Sequence, residues 1–278
     1  MSNVLVTALK NQGHSIVAML SAEYALRISR RSLGIVEELL SLGFVAGSML
    51  VLRLMAGGAS HHGMPVLPFV ISGLGLFWMF RTTLFRTANF KNAKLNFRGQ
   101  PRVTALDVLL SRAVVNVLLY TSIVFPIFLL LIWMGWSPPM ERPGMVLLIF
   151  ELAGLWGFGT GLCFGALFLV APFMRMVVGG LMMTMMWISG VMFIWPEVPY
   201  MLRPIFQWNP LFHFMELLRD AYFSAYETAL GSWSFVLWTI FITLALGLAL
   251  ERVSRRRAEA GVYRRESDQQ TFDDGVLG

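Results

Sequence analysis

Long apolar runs separated by short polar segments dominate the pattern of this 278-residue chain. A bilayer core about 30 Å thick requires about 20 apolar residues in one helix. Six runs reach that length and predict transmembrane helices, at residues 33–54, 66–85, 108–133, 145–171, 174–195 and 233–250. The pattern therefore predicts an all-α, polytopic membrane protein with an N-terminal segment (1–32), a membrane domain (33–250) and a loose C-terminal tail (251–278).

Small residues indicate where the predicted helices approach one another. Gly154, Gly157, Gly161 and Gly165 share one face of the fourth run, so another backbone can pack closely there. Ordinary packing within one subunit is the simpler interpretation, and a seam between two copies is the alternative. Pro172 ends the fourth helix, and the short turn that follows predicts that spans four and five form a tight antiparallel pair.

The basic residues are distributed unequally between the two sides of the predicted membrane domain. Six crossings place both termini on one side, and 18 of the 22 Lys and Arg residues fall on that side. The positive-inside rule therefore predicts that both termini are cytoplasmic. Topology and anionic lipid explain the net charge of +6 better than binding to nucleic acid does.

Composition excludes several classes of protein. With 56% hydrophobic and 14% charged residues, and a mean hydropathy of +0.66, the chain is not an ordinary soluble domain. A single cysteine, Cys163, excludes an intrachain disulfide. The sequence contains no nucleotide-binding P-loop and no hydrolase or protease motif, so any ATP must be hydrolysed by another polypeptide. His61 and His62 have no carboxylate at metal-ligand spacing, and we predict no metal site.

The N-terminal segment has the pattern of an amphipathic helix that lies in the membrane interface. Its apolar positions recur at helical spacing, and charged residues cover the other face. The apolar face consists of Leu20, Tyr24 and Ile28, and the charged face consists of Glu23, Arg27, Arg30 and Arg31. A basic stop that flanks the first span is the alternative interpretation.

The loop at about 86–102 has a second amphipathic pattern, on the side predicted to be cytoplasmic. Aromatic residues share one helical face, and basic residues share the neighbouring face. The loop contains Phe90, Lys91, Lys94, Phe97 and Arg98. Such a helix suits docking into a groove on a soluble partner, whereas the alternative is a basic loop that only sets topology.

The segment at about 196–231, on the opposite side, contains a third amphipathic pattern. Asn209 is suited to cap a helix that Pro210 begins. From there a polar stripe of His213, Glu216 and Arg219 separates from the apolar positions. A helix this short and this charged predicts a re-entrant or interfacial element that faces protein or a wet cavity. An interfacial loop helix anchored by Trp208 and Tyr222 is the alternative.

Few charges lie at membrane depth, where an ionisable group is a functional hypothesis by default. Glu151 is the clearest of them, although its side chain could simply reach the nearby interface. No series of ionisable groups crosses the bilayer, which argues against a proton-coupled transporter. Aromatic residues within or at the ends of spans are candidates to line a substrate path, with membrane belts as the alternative: Phe77, Trp78, Trp187 and Phe193.

These segments together resemble the permease subunits of ABC exporters for capsular polysaccharide and related glycans (KpsM/Wzm-like). The similarity begins where Arg30-Arg31-Ser32-Leu33-Gly34 enters the first span. It is most specific in Ile188–Phe193, Pro196, Pro199 and the run from Trp208 to Phe223. Glu37 and Glu38 depart from the family pattern, in which aromatic or apolar residues often follow the entry motif.

The resemblance implies a homodimer of six-span subunits that encloses a canal in the bacterial inner membrane. Two separate nucleotide-binding subunits would carry ATP and Mg, and the cargo would be a lipid-linked, acidic capsular polysaccharide. Residues 90–98 would form the coupling helix, 27–31 the end of the interface helix, and 209–222 the outer gate. A periplasmic copolymerase-like adaptor and an outer-membrane channel would continue the path. The rival functions are export of a small hydrophobic drug or lipid by the same fold, and a channel or scaffold without an ATPase.

Overall fold

The computed structural model describes residues 20, 21, 23–25, 32–57, 60–90 and 104–276. Residues 20, 21 and 23–25 are helical. The principal helices that follow are α1 (Ser32–Gly57), α2 (Val66–Thr87), α3 (Ala105–Trp133), α4 (Pro143–Val170), α5 (Met174–Ile188), α6 (Arg203–Phe206), α7 (Pro210–Tyr222) and α8 (Trp233–Val276). Two short 3-10 turns, Trp195–Glu197 and Tyr200–Leu202, lie between α5 and α6. This architecture confirms that the described chain is mostly helical.

The loop between α1 and α2 contains a small departure from the all-α prediction. Strands β1 (Ser60–His61) and β2 (Met64–Pro65) pair antiparallel. Both turn residues between them, His62 and Gly63, have positive φ angles of 48° and 80°, as a type I′ hairpin turn requires. The two histidines therefore belong to a tight hairpin rather than to an irregular loop.

Four helices of the described chain are long and apolar enough to cross a membrane: α2, α3, α4 and the Trp233–Arg256 part of α8. Helix α1, with 26 residues, also has the length to cross. The fifth predicted span differs, because α5 ends at Ile188 after 15 residues. At 1.5 Å per residue it is about 22 Å long, which is shorter than the hydrocarbon core. The prediction of a continuous helix over 174–195 is therefore wrong in its last seven residues.

Helix α4 is the centre of the bundle, and its small residues explain why. A Cβ atom on Gly161 would lie 2.7 Å from the Leu84 carbonyl oxygen of α2, and one on Gly154 would collide with Val117 of α3. The glycine face therefore packs inside the subunit, which confirms the simpler of its two interpretations. On the opposite side, Gly247 of α8 closely approaches the Gly159 carbonyl oxygen, a contact that the sequence pattern did not indicate.

Helix α5 does not form the predicted tight pair with α4. Of its described residues only Val178, Met182 and Met186 are buried, because α4 already packs along α2 and α8. The short turn after Pro172 reverses the chain without forcing the two helices together along their length. Much of α5 is thus left open to lipid or to another chain.

The C-terminal tail is also more regular than predicted. Helix α8 continues from the membrane segment to Val276, about 39 Å beyond residue 250 at the helical rise per residue. The sequence after residue 250 is rich in Arg, Glu and Ala, which favour helix, and it contains no proline. The prediction of a loose tail was therefore wrong, since nothing in this stretch ends the helix.

Candidate functional site

The start of α7 is fixed by Asn209, as its position before Pro210 predicted. The Asn209 side chain accepts a hydrogen bond from the Leu211 backbone N–H at 3.1 Å, and Pro210 occupies the first turn. The same side chain donates to the Ile188 carbonyl oxygen at 3.3 Å and to the Ser189 hydroxyl at 3.1 Å. One amide therefore caps the beginning of α7 and the end of α5, which joins the two helices at the predicted outer end of the bundle.

Glu216 lies in the middle of α7 and is fully buried. One carboxylate oxygen accepts a hydrogen bond from the Trp195 backbone N–H at 3.1 Å. The other accepts from the Tyr226 hydroxyl at 2.6 Å and the Thr228 hydroxyl at 2.9 Å. Burial, followed by the neighbouring Glu216 carboxylate, raises the pKa of Tyr226 well above its ordinary value, so this phenol stays protonated and donates. Glu216 thus ties α7 to the segments on both sides of it.

Arg219 lies one turn after Glu216 and is equally buried. Its guanidinium donates to the carbonyl oxygens of Phe193, at 2.7 Å, and Val191, at 3.1 Å. The group also lies over the Phe69 ring of α2, 3.9 Å from the ring centroid. These bonds satisfy carbonyl groups that a continuing α5 would have used in its own helix. Together with the φ of +77° at Gly190, they explain why α5 stops before the end of its apolar run.

Contacts made by three further residues of α7, His213, Asp220 and Tyr222, fix the remainder of the helix. The His213 ring accepts from the Ser232 backbone N–H at Nδ1, and its Nε2 atom is therefore the donor to the Gln207 carbonyl oxygen, 2.8 Å away. The Tyr222 hydroxyl is 2.8 Å from that of Ser137. Arg142 pairs with Asp220 at 2.7 Å. We call these residues with Asn209, Glu216 and Arg219 the α7 network.

The α7 network changes the interpretation of the predicted polar stripe. Helix α7 is buried on all sides from Leu211 to Tyr222, apart from the half-buried Asp220, and it packs against α2, α4 and α8. A helix that faces protein was predicted, and this is what the structure shows. The alternative of an interfacial helix anchored by Tyr222 is wrong because Tyr222 is fully buried, whereas Trp208 is 72% exposed.

The aromatic candidates for a substrate path separate into two groups. Phe77 is fully buried and Trp78 nearly so, and burial within one subunit persists in any assembly. Their assignment to a path is therefore wrong for this conformation: both are core residues of α2. Trp187 is 51% exposed, whereas Phe193 is half-buried against Phe206 and Phe212.

Glu151 is exposed on α4 and accepts a hydrogen bond from the Thr121 hydroxyl of α3 at 3.4 Å. The carboxylate is therefore not enclosed by its own subunit. Among the residues that the structure describes, no group of three or more His, Cys, Asp or Glu side chains could hold a metal ion. Glu151 and Trp187 are the two predicted path residues that lie open on the subunit surface.

At the predicted cytoplasmic end, Phe90 contacts α4 of its own subunit. A Cβ atom on Gly165 would collide with the Phe90 ring, so the ring lies over the end of the glycine face. The other residues assigned to this loop and to the interface helix fall outside the described part of the chain: Lys91, Lys94, Phe97 and Arg98, and Arg27, Arg30 and Arg31. Phe90 therefore connects the loop to α4 rather than projecting freely.

Arg112 of α3 contacts two other elements at this end. Its Nε atom lies 3.2 Å from a Glu23 carboxylate oxygen of the N-terminal segment. A terminal nitrogen donates to the Asn89 carbonyl oxygen, just after α2, at 3.5 Å. Glu23 lies 89 positions before Arg112 in the sequence, and no local pattern identifies such a pair.

Sequence reasoning also missed Tyr226 and Asn116. Tyr226 lies in a polar loop and gave no signal beyond its closeness to Glu216. Asn116 is fully buried and donates to the Thr82 and Thr83 hydroxyls at 2.9 and 2.8 Å, which links α3 to α2. An isolated polar residue in an apolar run is the one signal that could have identified Asn116 as an interhelical contact.

Comparison with known proteins agrees with this architecture. The family model for the ABC-2 type transporter matches residues 15–223. The chain is 26% identical over 242 residues to the polysialic acid transport protein KpsM of Escherichia coli, covering 86% of this chain and 92% of that protein. It is 25% identical over 248 residues to the capsule polysaccharide export inner-membrane protein BexB of Haemophilus influenzae, covering 87% and 92%. The family match includes every helix from α1 to α7, and the chain therefore belongs to the ABC-2 type transporter family of membrane proteins.

Proposed function

We propose that this chain is the membrane-spanning subunit of an ATP-driven exporter that moves lipid-linked, acidic capsular polysaccharide across the bacterial inner membrane. The observation that carries the proposal is similarity along 86–87% of the chain to two proteins whose names state transport of polysialic acid and export of capsule polysaccharide. Because the sequence has no P-loop, ATP and Mg belong to two copies of a separate nucleotide-binding subunit. Both termini are cytoplasmic in this proposal.

The canal lies between two copies of the chain. Support comes from the elements that the subunit leaves open, because Phe44 of α1 is 79% exposed and Met176 of α5 is 81% exposed. Helices α2 and α4 form the buried centre of the bundle, whereas α3 and α8 also expose apolar side chains, such as Leu129 and Trp238. Two copies that meet along α1 and α5 can separate without breaking the packing of α2, α4 and α8. Trp187 on the same helix α5 then faces the polymer, and stacking of its ring on sugars requires no fixed register.

The loop that begins at Phe90 receives the motion of the ATPase in this proposal. Phe90 rests on Gly165, so a push on the loop is transmitted directly to α4 and hence to the bundle. At the other end, α7 with Trp208 forms the outer gate. Since the α7 network fixes this helix to α2 and to the 191–195 segment, the gate moves as a rigid part of each subunit. A periplasmic copolymerase-like adaptor and an outer-membrane channel receive the polymer.

The experiment combines purification with a cell-surface assay in the native host. An affinity-tagged chain is extracted in mild detergent, and the proteins that accompany it are identified and quantified. Surface carbohydrate is labelled on whole cells by periodate oxidation and a hydrazide dye, in wild type, in a deletion strain and in the complemented strain. We expect a stoichiometric nucleotide-binding subunit, and loss of surface label in the deletion strain that complementation restores.

The two rival functions give different results. A channel or scaffold purifies without a nucleotide-binding subunit. A drug or lipid exporter retains that subunit but leaves surface carbohydrate unchanged when the gene is deleted. Either result would refute the proposal, and a mutated Walker lysine in the co-purified subunit provides the matched control for dependence on ATP hydrolysis.

A further inference from the structure

The loop at 91–103 is bounded on both sides by well-defined contacts. Before it, Phe90 packs on Gly165 of α4. After it, Thr104 caps α3 through a reciprocal pair of bonds with Asp107: the Thr104 N–H donates to the carboxylate at 2.8 Å, and the Asp107 N–H donates to the Thr104 hydroxyl at 3.2 Å. A capping box of this type fixes the direction in which the chain enters a helix. The residues on either side of the loop are therefore fixed, Phe90 on α4 and Thr104 at the beginning of α3.

The N-terminal segment has a less directional attachment to the same helix. Leu20, Ser21 and Tyr24 face Val115, Leu118, Leu119 and Ser122 of α3 across an open groove of about 340 Å³. Apolar contacts do not by themselves fix a register along a helix, because their energy depends on buried area rather than direction. The ion pair between Glu23 and Arg112, by contrast, is a directional contact between these two elements.

Arg112 also contacts Asn89, which lies between the end of α2 and the loop. It lies about 12 Å along α3 from the Thr104 cap, at the helical rise of 1.5 Å per residue. From this position the planar guanidinium binds the Glu23 carboxylate with Nε and the Asn89 carbonyl oxygen with a terminal nitrogen. Arginine can do this because its donors point in several fixed directions. The side chains of Arg112 and Glu23 are only 11% and 18% exposed, so salt screens the pair less than a surface pair.

We propose that Arg112 is a positioning residue for transport. It joins the N-terminal segment to the beginning of the cytoplasmic loop, so that the two elements move together with α3 when the ATPase acts. This inference rests on the proposed ATP-driven function and adds a specific residue to it. Without the junction the partner would still bind, but a displacement of the loop would no longer carry the N-terminal segment with it.

The test measures how well ATP hydrolysis is coupled to export. For each variant, surface carbohydrate on whole cells is compared with the ATPase activity of the purified complex. Glu23→Gln and Arg112→Gln are tested singly, and Glu23→Arg with Arg112→Glu is tested as a charge exchange. Arg256→Gln is the matched control, because Arg256 is an exposed arginine on the side predicted to be cytoplasmic.

We expect each single variant to reduce the ratio of export to ATP hydrolysis by about fivefold or more, which is the low end of coupling between linked sites. The nucleotide-binding subunit should still co-purify. The charge exchange should recover much of the ratio because it restores the ion pair, yet it should stay below wild type because a glutamate at 112 cannot donate to the Asn89 carbonyl oxygen. Arg256→Gln should leave the ratio unchanged.

Two results would overturn the inference: single variants with the wild-type ratio, or a charge exchange no better than the poorer single variant. If the Gln variants do not accumulate, Arg112→Lys replaces them, since it keeps the charge but lacks the guanidinium fork. A wild-type ratio in Arg112→Lys would then contradict the role assigned to the two simultaneous contacts. Failure of the proposed function is recognised separately, because the wild-type chain itself would then lack an ATPase partner or an effect on surface carbohydrate.

Discussion

Replacement of Glu216 tests the claim that α7 is fixed by buried polar contacts. The Glu216 carboxylate is the common acceptor for three donors, from Trp195, Tyr226 and Thr228. Glu216→Gln keeps the size of the side chain but replaces one oxygen by an NH2 group, which can only donate. In one orientation the NH2 group faces the Trp195 N–H, which can only donate. In the other it faces the Tyr226 and Thr228 hydroxyls, which must turn to accept from it, so that their own protons lose the carboxylate acceptor. In either case at least one buried donor is left without its acceptor.

The magnitudes follow from the number of groups left without a partner. One buried donor without an acceptor costs about 1–3 kcal/mol, which is the expected loss for Glu216→Gln. Glu216→Ala removes the acceptor for all three donors and also removes the negative charge one turn from the buried Arg219. Three buried donors without an acceptor cost more than one, so Glu216→Ala should lose about 3 kcal/mol or more. Glu227 is exposed, so Glu227→Gln should change stability by no more than about 0.5 kcal/mol and serves as the matched control.

Thermal unfolding of the detergent-solubilised protein, followed by tryptophan fluorescence, measures these differences. For a chain of roughly this size each kcal/mol lowers Tm by about 2–4 °C. Tyr226→Phe completes a double-mutant cycle with Glu216→Gln. Because both changes affect the same hydrogen bond, the double variant should lose less than the sum of the single losses. The reasoning would be refuted if Glu216→Gln and Glu216→Ala unfolded at the same temperature as Glu227→Gln.

Two other predictions concern topology and helix packing. In a Cys163→Ser background, cysteines at the exposed positions 175 and 200 should react from the cytoplasmic and the outer side respectively, because the proposed six-span topology places a crossing between them although α5 is short. Labelling of both positions from the same side would contradict that crossing and leave five. Gly161→Ala should lower the free energy of unfolding by about 1–3 kcal/mol, because the new Cβ atom would lie 2.7 Å from the Leu84 carbonyl oxygen. Gly144→Ala is the control: a Cβ atom there meets nothing within 4 Å, so this variant should be neutral or slightly stabilising. Equal unfolding temperatures for these two alanine variants would contradict the close packing of α2 on α4.

Features of the fold that depend on neighbouring residues could be predicted from the sequence. The Asn209-Pro210 start of α7, the glycine face of α4 and the helical character of the long apolar runs were predicted correctly. In each case the physical cause lies within a few residues: a cap, a small side chain every turn, or a run without a helix breaker. The end of α5 at Ile188 could not be predicted in this way. It depends on Asn209 and Arg219, which lie 21 or more positions further along the chain and act through tertiary contacts.

The assignment of faces on the apolar helices was the weaker part of the prediction. Phe77 and Trp78 lie in a run that is apolar on every side, so no periodicity distinguishes a core position from one that faces lipid or a canal. In a water-soluble protein, the spacing of polar and apolar residues would have indicated which face of each helix is buried. In a bilayer, lipid-facing and core-facing positions are equally apolar, and only packing with other helices decides between them. The Glu23–Arg112 pair escaped notice for a different reason, because the two residues lie 89 positions apart in the sequence.

The membrane also explains why small residues and buried polar groups carry so much of this structure. Lipid tails are as apolar as leucine, so burial of apolar surface between helices contributes little, and helices associate through close packing and hydrogen bonds instead. Gly161 and Gly159 supply the close packing on two faces of α4. Glu216 and Arg219 supply hydrogen bonds that hold chain segments outside any regular helix. A backbone segment such as 189–197 has unpaired carbonyl and N–H groups that lipid cannot satisfy. Glu216 accepts from an N–H group of this segment, and Arg219 donates to two of its carbonyl oxygens. This is the physical reason that a short, charged helix is buried at the predicted outer end of an otherwise apolar bundle.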